Sequence, residues 1–160
     1  MTSFFSYFKH ASLVFLLIVF AVIMTACAGK KPIQTVAEYG AKAAPIAVQA
    51  QNIVLEADRS GLQPNKDLTA KSMAKFKELG QTLQKLASAL EVYDTLDGTS
   101  QYEQGNRIRQ LLSEARTLTR AVMVFTGGNE ALADSLNRTF DNLDRLFDAI
   151  TAGLAPLPVQ

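Results

Sequence analysis

The stretch FKELGQTLQKLASALEVY, residues 76–93, decides how this chain folds. Its large apolar side chains, Phe76, Leu79, Leu83, Leu86, Leu90 and Tyr93, recur at alternating spacings of three and four. A helix completes a turn every 3.6 residues, so this cadence gathers all six on one stripe, whereas a half-buried strand would alternate every second residue. The same rhythm follows at Ile108, Leu111, Ala115, Leu118, Val122 and Phe125, and again at Leu132, Leu136, Phe140, Leu143, Phe147, Ile150 and Leu154. Upstream, a pattern over 33–58 places Ile46, Ala50, Ile53 and Ala57 on one stripe. Pro45 falls inside it, so that helix either starts near Ala44 or bends there.

Turn chemistry separates the patterns. Gly61 closes Arg59-Ser60-Gly61 as a left-handed cap, Asp97-Gly98 marks a second turn, and Gly127-Gly128 a third. Ser100, three residues before Glu103, reads as a capping box, and Asn129 as the cap of the last helix. No strand pattern competes. Seams this regular could also build an intermolecular coiled coil, but short turns between matching seams favour antiparallel neighbours in one chain. The sequence predicts an all-α, antiparallel up-down four-helix bundle over residues 33–154. The first helix would be kinked or short, with a tether at 27–32 before the bundle and a tail at 155–160 after it.

The first 26 residues are of another kind. Lys9 precedes an uninterrupted apolar run from Leu13 to Met24, and Met24-Thr25-Ala26 leads into Cys27, the only cysteine. A charged start, an apolar stretch and small residues before a cut make a secretory signal peptide. The small-small-Cys ending resembles the lipobox of bacterial lipoprotein precursors, although Met24 stands where that family most often has leucine. The resemblance implies cleavage between Ala26 and Cys27, a diacylglyceryl group on the thiol and an acylated new amine. Two acyl chains suffice for stable membrane attachment. Ala28, where aspartate would resemble an inner-membrane retention signal, implies the periplasmic face of the outer membrane in an organism that has one. The alternative is an uncleaved anchor. The apolar stretch from Ala11 to Ala28 is 18 residues long, at the lower edge of a bilayer span of about 20. Lys30 and Lys31 on its far side oppose that reading, since positive charge is normally kept on the cytoplasmic side.

Composition narrows the chemistry. Beyond the cleavage site the chain carries 15 Lys and Arg against 15 Asp and Glu, so nothing favours binding to nucleic acid. Residues 27–93 hold a surplus of three positive charges and residues 94–160 a surplus of three negative ones. The plain expectation is that the two halves pack with complementary faces; the sharper one is a dipolar surface that meets another protein. His10, the only histidine, leaves with the signal peptide, which excludes Ser-His-Asp and Cys-His catalysis, His/Cys zinc sites and the di-iron pattern of ferritin-like bundles. No cofactor is expected. Asp134, Asp141, Asp144 and Asp148 lie along the last helix; they read as a solvated face, not as a calcium loop, which needs acids clustered on a turn. Arg109, Arg116 and Arg120 share a face of the third helix. Read boldly, they bind an anion or a phospholipid headgroup; read plainly, they pair with Asp141, Asp144 and Asp148 across the bundle.

These readings converge on a non-enzymatic lipoprotein. The lipid on Cys27 would hold a helical bundle at the membrane, where an envelope protein would be its partner, with the arginines and aspartates just named as candidate contact surface. The alternative is a carrier of an apolar ligand, an acyl chain or a quinone, in a pocket lined by Phe76, Phe125, Phe140 and Phe147.

Overall fold

A computed structural model of the protein describes residues 32–63, 65–93, 95–96 and 98–154, the side chains of residues 32–35 excepted. Four helices account for nearly all of them: α1 (Pro32–Arg59), α2 (Lys66–Tyr93), α3 (Gly98–Val124) and α4 (Glu130–Gly153). No strand occurs among the described residues. The expected signal peptide with its cleavage site at Ala26 and Cys27, the expected tether up to Lys31 and the tail 155–160 lie outside them.

The helices form a four-helix bundle. In it α1 packs against α2 and α4, and α2 against α3; the α3–α4 seam is the thinnest, and the diagonal pairs stay apart across the core. Residue pairs show the direction of two seams. Gly40, early in α1, lies against Leu90, late in α2, while Thr69 Oγ1 donates to Asp58 Oδ1 at the other end of that seam. Between α2 and α3, Thr82 Oγ1 donates to Glu114 Oε1 (3.0 Å) and Gln104 Nε2 to the Ala89 carbonyl (2.8 Å). Numbering that climbs in one helix falls in its neighbour at both seams.

The periodic side chains form the core. All six of the α2 stripe are buried, as are all seven from Leu132 to Leu154. On α3 the stripe is buried from Ile108 to Val122, but Phe125 is only half-buried because the helix has ended at Val124.

The face of α1 is the expected one at Ala50 and Ala57 and differs from it at Ile46 and Ile53. Val36, Ala43, Ala47, Ala50, Val54 and Ala57 are buried, whereas Ile46 and Ile53 are half-buried and pack at the core's edge. A stripe of small residues brings α1 close to α2. At Gly40 an added Cβ would stand 2.7 Å from Leu90 Cδ1, so any larger residue at this crossing requires the leucine to shift. The helix also runs unbroken through Pro45. Proline cannot donate to the Ala41 carbonyl, but Ala41 and Pro45 are both exposed, so water can satisfy that group. The helix starts at Pro32, one residue earlier than the tether allowed for; proline is at home in a first helical turn, where its missing N–H has no intrahelical partner to lose.

The turns follow their chemistry in part. Gly61 (φ 76°) and Gly127 (φ 64°) take the left-handed conformation that side chains resist. Asn129 caps α4 by accepting from the Leu132 N–H (2.9 Å). The capping box at Ser100 is not formed: α3 already begins at Gly98, so Ser100 lies within its first turn. The turn after α1 and the turn after α3 are stitched together. Gln63, only 3% exposed, donates through Nε2 to the Phe125 carbonyl (2.6 Å), and Asn129 Nδ2 donates to the Leu62 carbonyl (2.7 Å).

Candidate functional site

Charge is sorted by packing pair and not by sequence half. The neighbours α2 and α3 carry nine Lys and Arg against five Asp and Glu, and the neighbours α1 and α4 carry four against eight. The two halves do pack against each other, α1 on α4 and α2 on α3, but the helices that meet there share the sign of their net charge, so the expected complementarity is not what joins them. The ion pairs of Lys71 with Asp67 (2.6 Å), Lys75 with Glu78 (2.7 Å) and Arg116 with two aspartates each join residues of the same half. The two pairs on α2 are solvent-exposed contacts one turn apart and contribute a few tenths of a kcal/mol.

Basic and acidic helices meet at the α1–α2 and α3–α4 seams, and Arg116 bridges the second. Its Nε donates to Asp144 Oδ1 (3.2 Å) and its Nη2 to Asp148 Oδ1 (2.5 Å). The guanidinium also lies over the ring of the fully buried Phe147, 5.7 Å from its centroid. Asp144 and Asp148 are one helical turn apart, which is why one arginine reaches both. The side chain of Arg116 is 29% exposed, against 49% and 76% for its partners, so the carboxylates remain wet and the pairing is screened by water.

The other sequence-selected residues are distributed around this pair. Arg109 is half-buried and donates through Nη1 to Asn106 Oδ1 (3.3 Å) on its own helix. Arg120 is exposed and makes no ion pair among the described residues, and neither does Asp141. The expected pairing across the seam is seen between Arg116 and both Asp144 and Asp148. Asp134, Asp141, Asp144 and Asp148 follow one helix, and no group of three His, Cys, Asp or Glu among the described residues could hold a metal ion.

Arg109, Arg116 and Arg120 line a surface cleft of about 300 Å³ together with Leu112, Ser113, Thr117 and Thr151. Ser113 and Thr117 were missed in the sequence; their spacing of four, interleaved with the arginines, is the signal that would have found them. A larger polar groove of about 730 Å³ runs between α2 and α3, with Lys85 and Arg107 on its walls and Gln81, Gln84 and Gln104 between them. A third, near the stitched turns, is lined by Ile53, Leu62 and Leu132 and two serines, Ser60 and Ser135. None of these clefts is lined by Phe76, Phe125, Phe140 or Phe147. Phe76, Phe140 and Phe147 are instead buried in the core, the first two with ring centroids 6.4 Å apart.

No protein-family model, curated protein or solved structure matches the chain.

Proposed function

We propose that the protein is a lipid-anchored, non-enzymatic accessory factor of the bacterial cell envelope, a helical bundle held at a membrane by acyl chains on Cys27 that binds an envelope protein. The observation that carries this reading is the run Leu13–Met24 followed by Thr25-Ala26-Cys27. No described helix is long and apolar enough to cross a membrane; attachment through Cys27 rests on the sequence of residues 13–27 alone. A binding role is supported by the sorting of charge into a basic pair of helices and an acidic pair, which leaves two surfaces of opposite sign for a partner to read. The apolar-ligand carrier draws no support from the clefts, because the phenylalanines meant to line a pocket are not on their walls. With Ala28 after the modified cysteine, the outer membrane is the destination in an organism that has one.

The test is the intact mass of the protein extracted from its native membrane, beside a Cys27→Ala variant. The expected mass is that of residues 27–160 plus two or three acyl chains, absent from the variant. An unmodified full-length mass in both would sink the proposal.

A further inference from the structure

The outer face of α1 is unlike that of the other helices. No charged residue occurs between Lys42 and Glu56, a run of 13 that no other helix of the bundle matches. The buried stripe takes Ala43, Ala47, Ala50 and Val54 from this run. On the opposite side Ala41, Pro45, Val48 and Asn52 are exposed and Leu55 is half-buried, at spacings of four, three, four and three. That cadence is the one a helix uses to pack on another helix, and a helix apolar on both sides is normally covered on both. Val48, 54% exposed, stands at the middle of the stripe. We propose that this face binds a second copy of the chain, the two α1 helices lying antiparallel about a two-fold axis at Val48 and Gln49.

A second copy fits because the face is complementary to itself. In an antiparallel pair, residues equally far before and after the axis meet. Ala41 and Leu55 lie seven residues to either side of Val48, so each leucine meets an alanine while the two valines meet on the axis. Asn52, Leu55, Glu56 and Arg59 line a shallow hollow of about 580 Å³, and this register lays the small side chains of Ala41 and Pro45 of the second copy over it. Pro45 leaves the Ala41 carbonyl without its helical donor, and Asn52 of the second copy brings a side-chain amide to that place.

Charge sets the direction. Lys42, Gln49 and Glu56 are spaced by seven and follow one flank of the stripe. Antiparallel packing sets like flanks against each other, so Lys42 of each copy meets Glu56 of the other, and Gln49 meets Gln49. In a parallel pair that flank would face the opposite one, at Ala44 and Gln51, and neither charge would meet its opposite there. Neither Lys42 nor Glu56 makes an ion pair among the described residues. Lys42 Nζ rests 5.7 Å from the centroid of the Tyr39 ring, a weak contact that a flexible lysine exchanges for a carboxylate. The contact from Ala41 to Glu56 is about 22 Å long with one helix face on each side, which is smaller than a standard interface and makes the dimer a weak one.

The pairing stands whether or not Cys27 is acylated, and its test does not use the acyl group. Sedimentation equilibrium of the full-length protein in density-matched nonionic micelles should show monomer and dimer in equilibrium with a Kd of about 10–100 µM. Val48→Glu sets two carboxylates on the axis and should leave a monomer of unchanged helicity, since Val48 is exposed. Lys42→Glu and Glu56→Lys should each weaken the dimer by about tenfold. An equal mixture of the two variants should associate about as tightly as the parent, because both contacts across the axis again join opposite charges. A monomer throughout, up to about 500 µM, or a mixture no tighter than its components would overturn the proposal. So would a dimer undiminished in Val48→Glu, which would assign the association to another surface, such as the apolar run at 13–24.

Discussion

Exchanging glycine for alanine at Gly40 and at Gly80 should change stability with opposite signs, although both residues lie inside helices. Gly80 is exposed on α2, and an added Cβ would meet nothing within 4 Å. Only backbone entropy and helix propensity change there, so Gly80→Ala should stabilise by about 1 kcal/mol. For a domain of this size that raises Tm by about 3–5 °C. Gly40→Ala gains the same propensity, but its Cβ would stand 2.7 Å from Leu90 Cδ1, where ordinary contact begins at 3.4 Å. Leu90 is only 1% exposed and is enclosed by the core, so it cannot swing aside into solvent. Overpacking of that kind costs about 1–3 kcal/mol, which exceeds the gain and leaves Gly40→Ala less stable than the parent by about 1 kcal/mol. Urea and thermal unfolding of the chain from Ala28 onward, followed by far-UV circular dichroism, reads both changes. If Gly40→Ala stabilises as much as Gly80→Ala, α1 and α2 do not cross closely and the small-residue face of α1 is wrong.

Two further substitutions probe the seams. Asn129→Ala removes both the cap on the Leu132 N–H and the donor to the Leu62 carbonyl, and should destabilise by about 1–2 kcal/mol in urea unfolding at unchanged m-value. Arg116→Ala should cost only about 1 kcal/mol at low salt, because its carboxylate partners are solvated, and most of that difference should vanish in about 1 M sodium chloride as the pairs are screened. A residual loss at high salt would report the contact with the Phe147 ring.

The fold was legible where large side chains carry the period. In α2 and α4, leucines and phenylalanines mark a single stripe, and every one of them is buried. In α1 the apolar residues occur on most sides, and the stripe that packs is made of alanines. Hydrophobicity alone pointed to Ile46 and Ile53, while the close approach of α2 selected the smaller residues one position away. The start of α3 was misplaced for a local reason: the motif of Ser100 and Glu103 is real in sequence, but the helix had begun two residues before it. At the seam, helical spacing was enough to bring Arg116 to Asp144 and Asp148. It could not tell which arginine would be used, since that depends on the height at which α3 and α4 lie side by side. Nor could charge counted along the chain reveal that the middle two helices are basic and the outer two acidic, because that is a property of which helices are neighbours.

The stitched turns have a mechanical consequence for the thin seam. α3 and α4 are joined at residues 125–129, and there Gln63 and Asn129 also tie them to the turn between α1 and α2. Any parting of α3 from α4 is therefore zero at that end and grows with distance from it, as the jaws of a clothes-peg open away from the spring. The hinge is built into the two glycine turns, and the jaws are the ends near Gly98 and Gly153. Arg116, about two-thirds of the way along α3 from Gly98, bridges the two arms between hinge and tips.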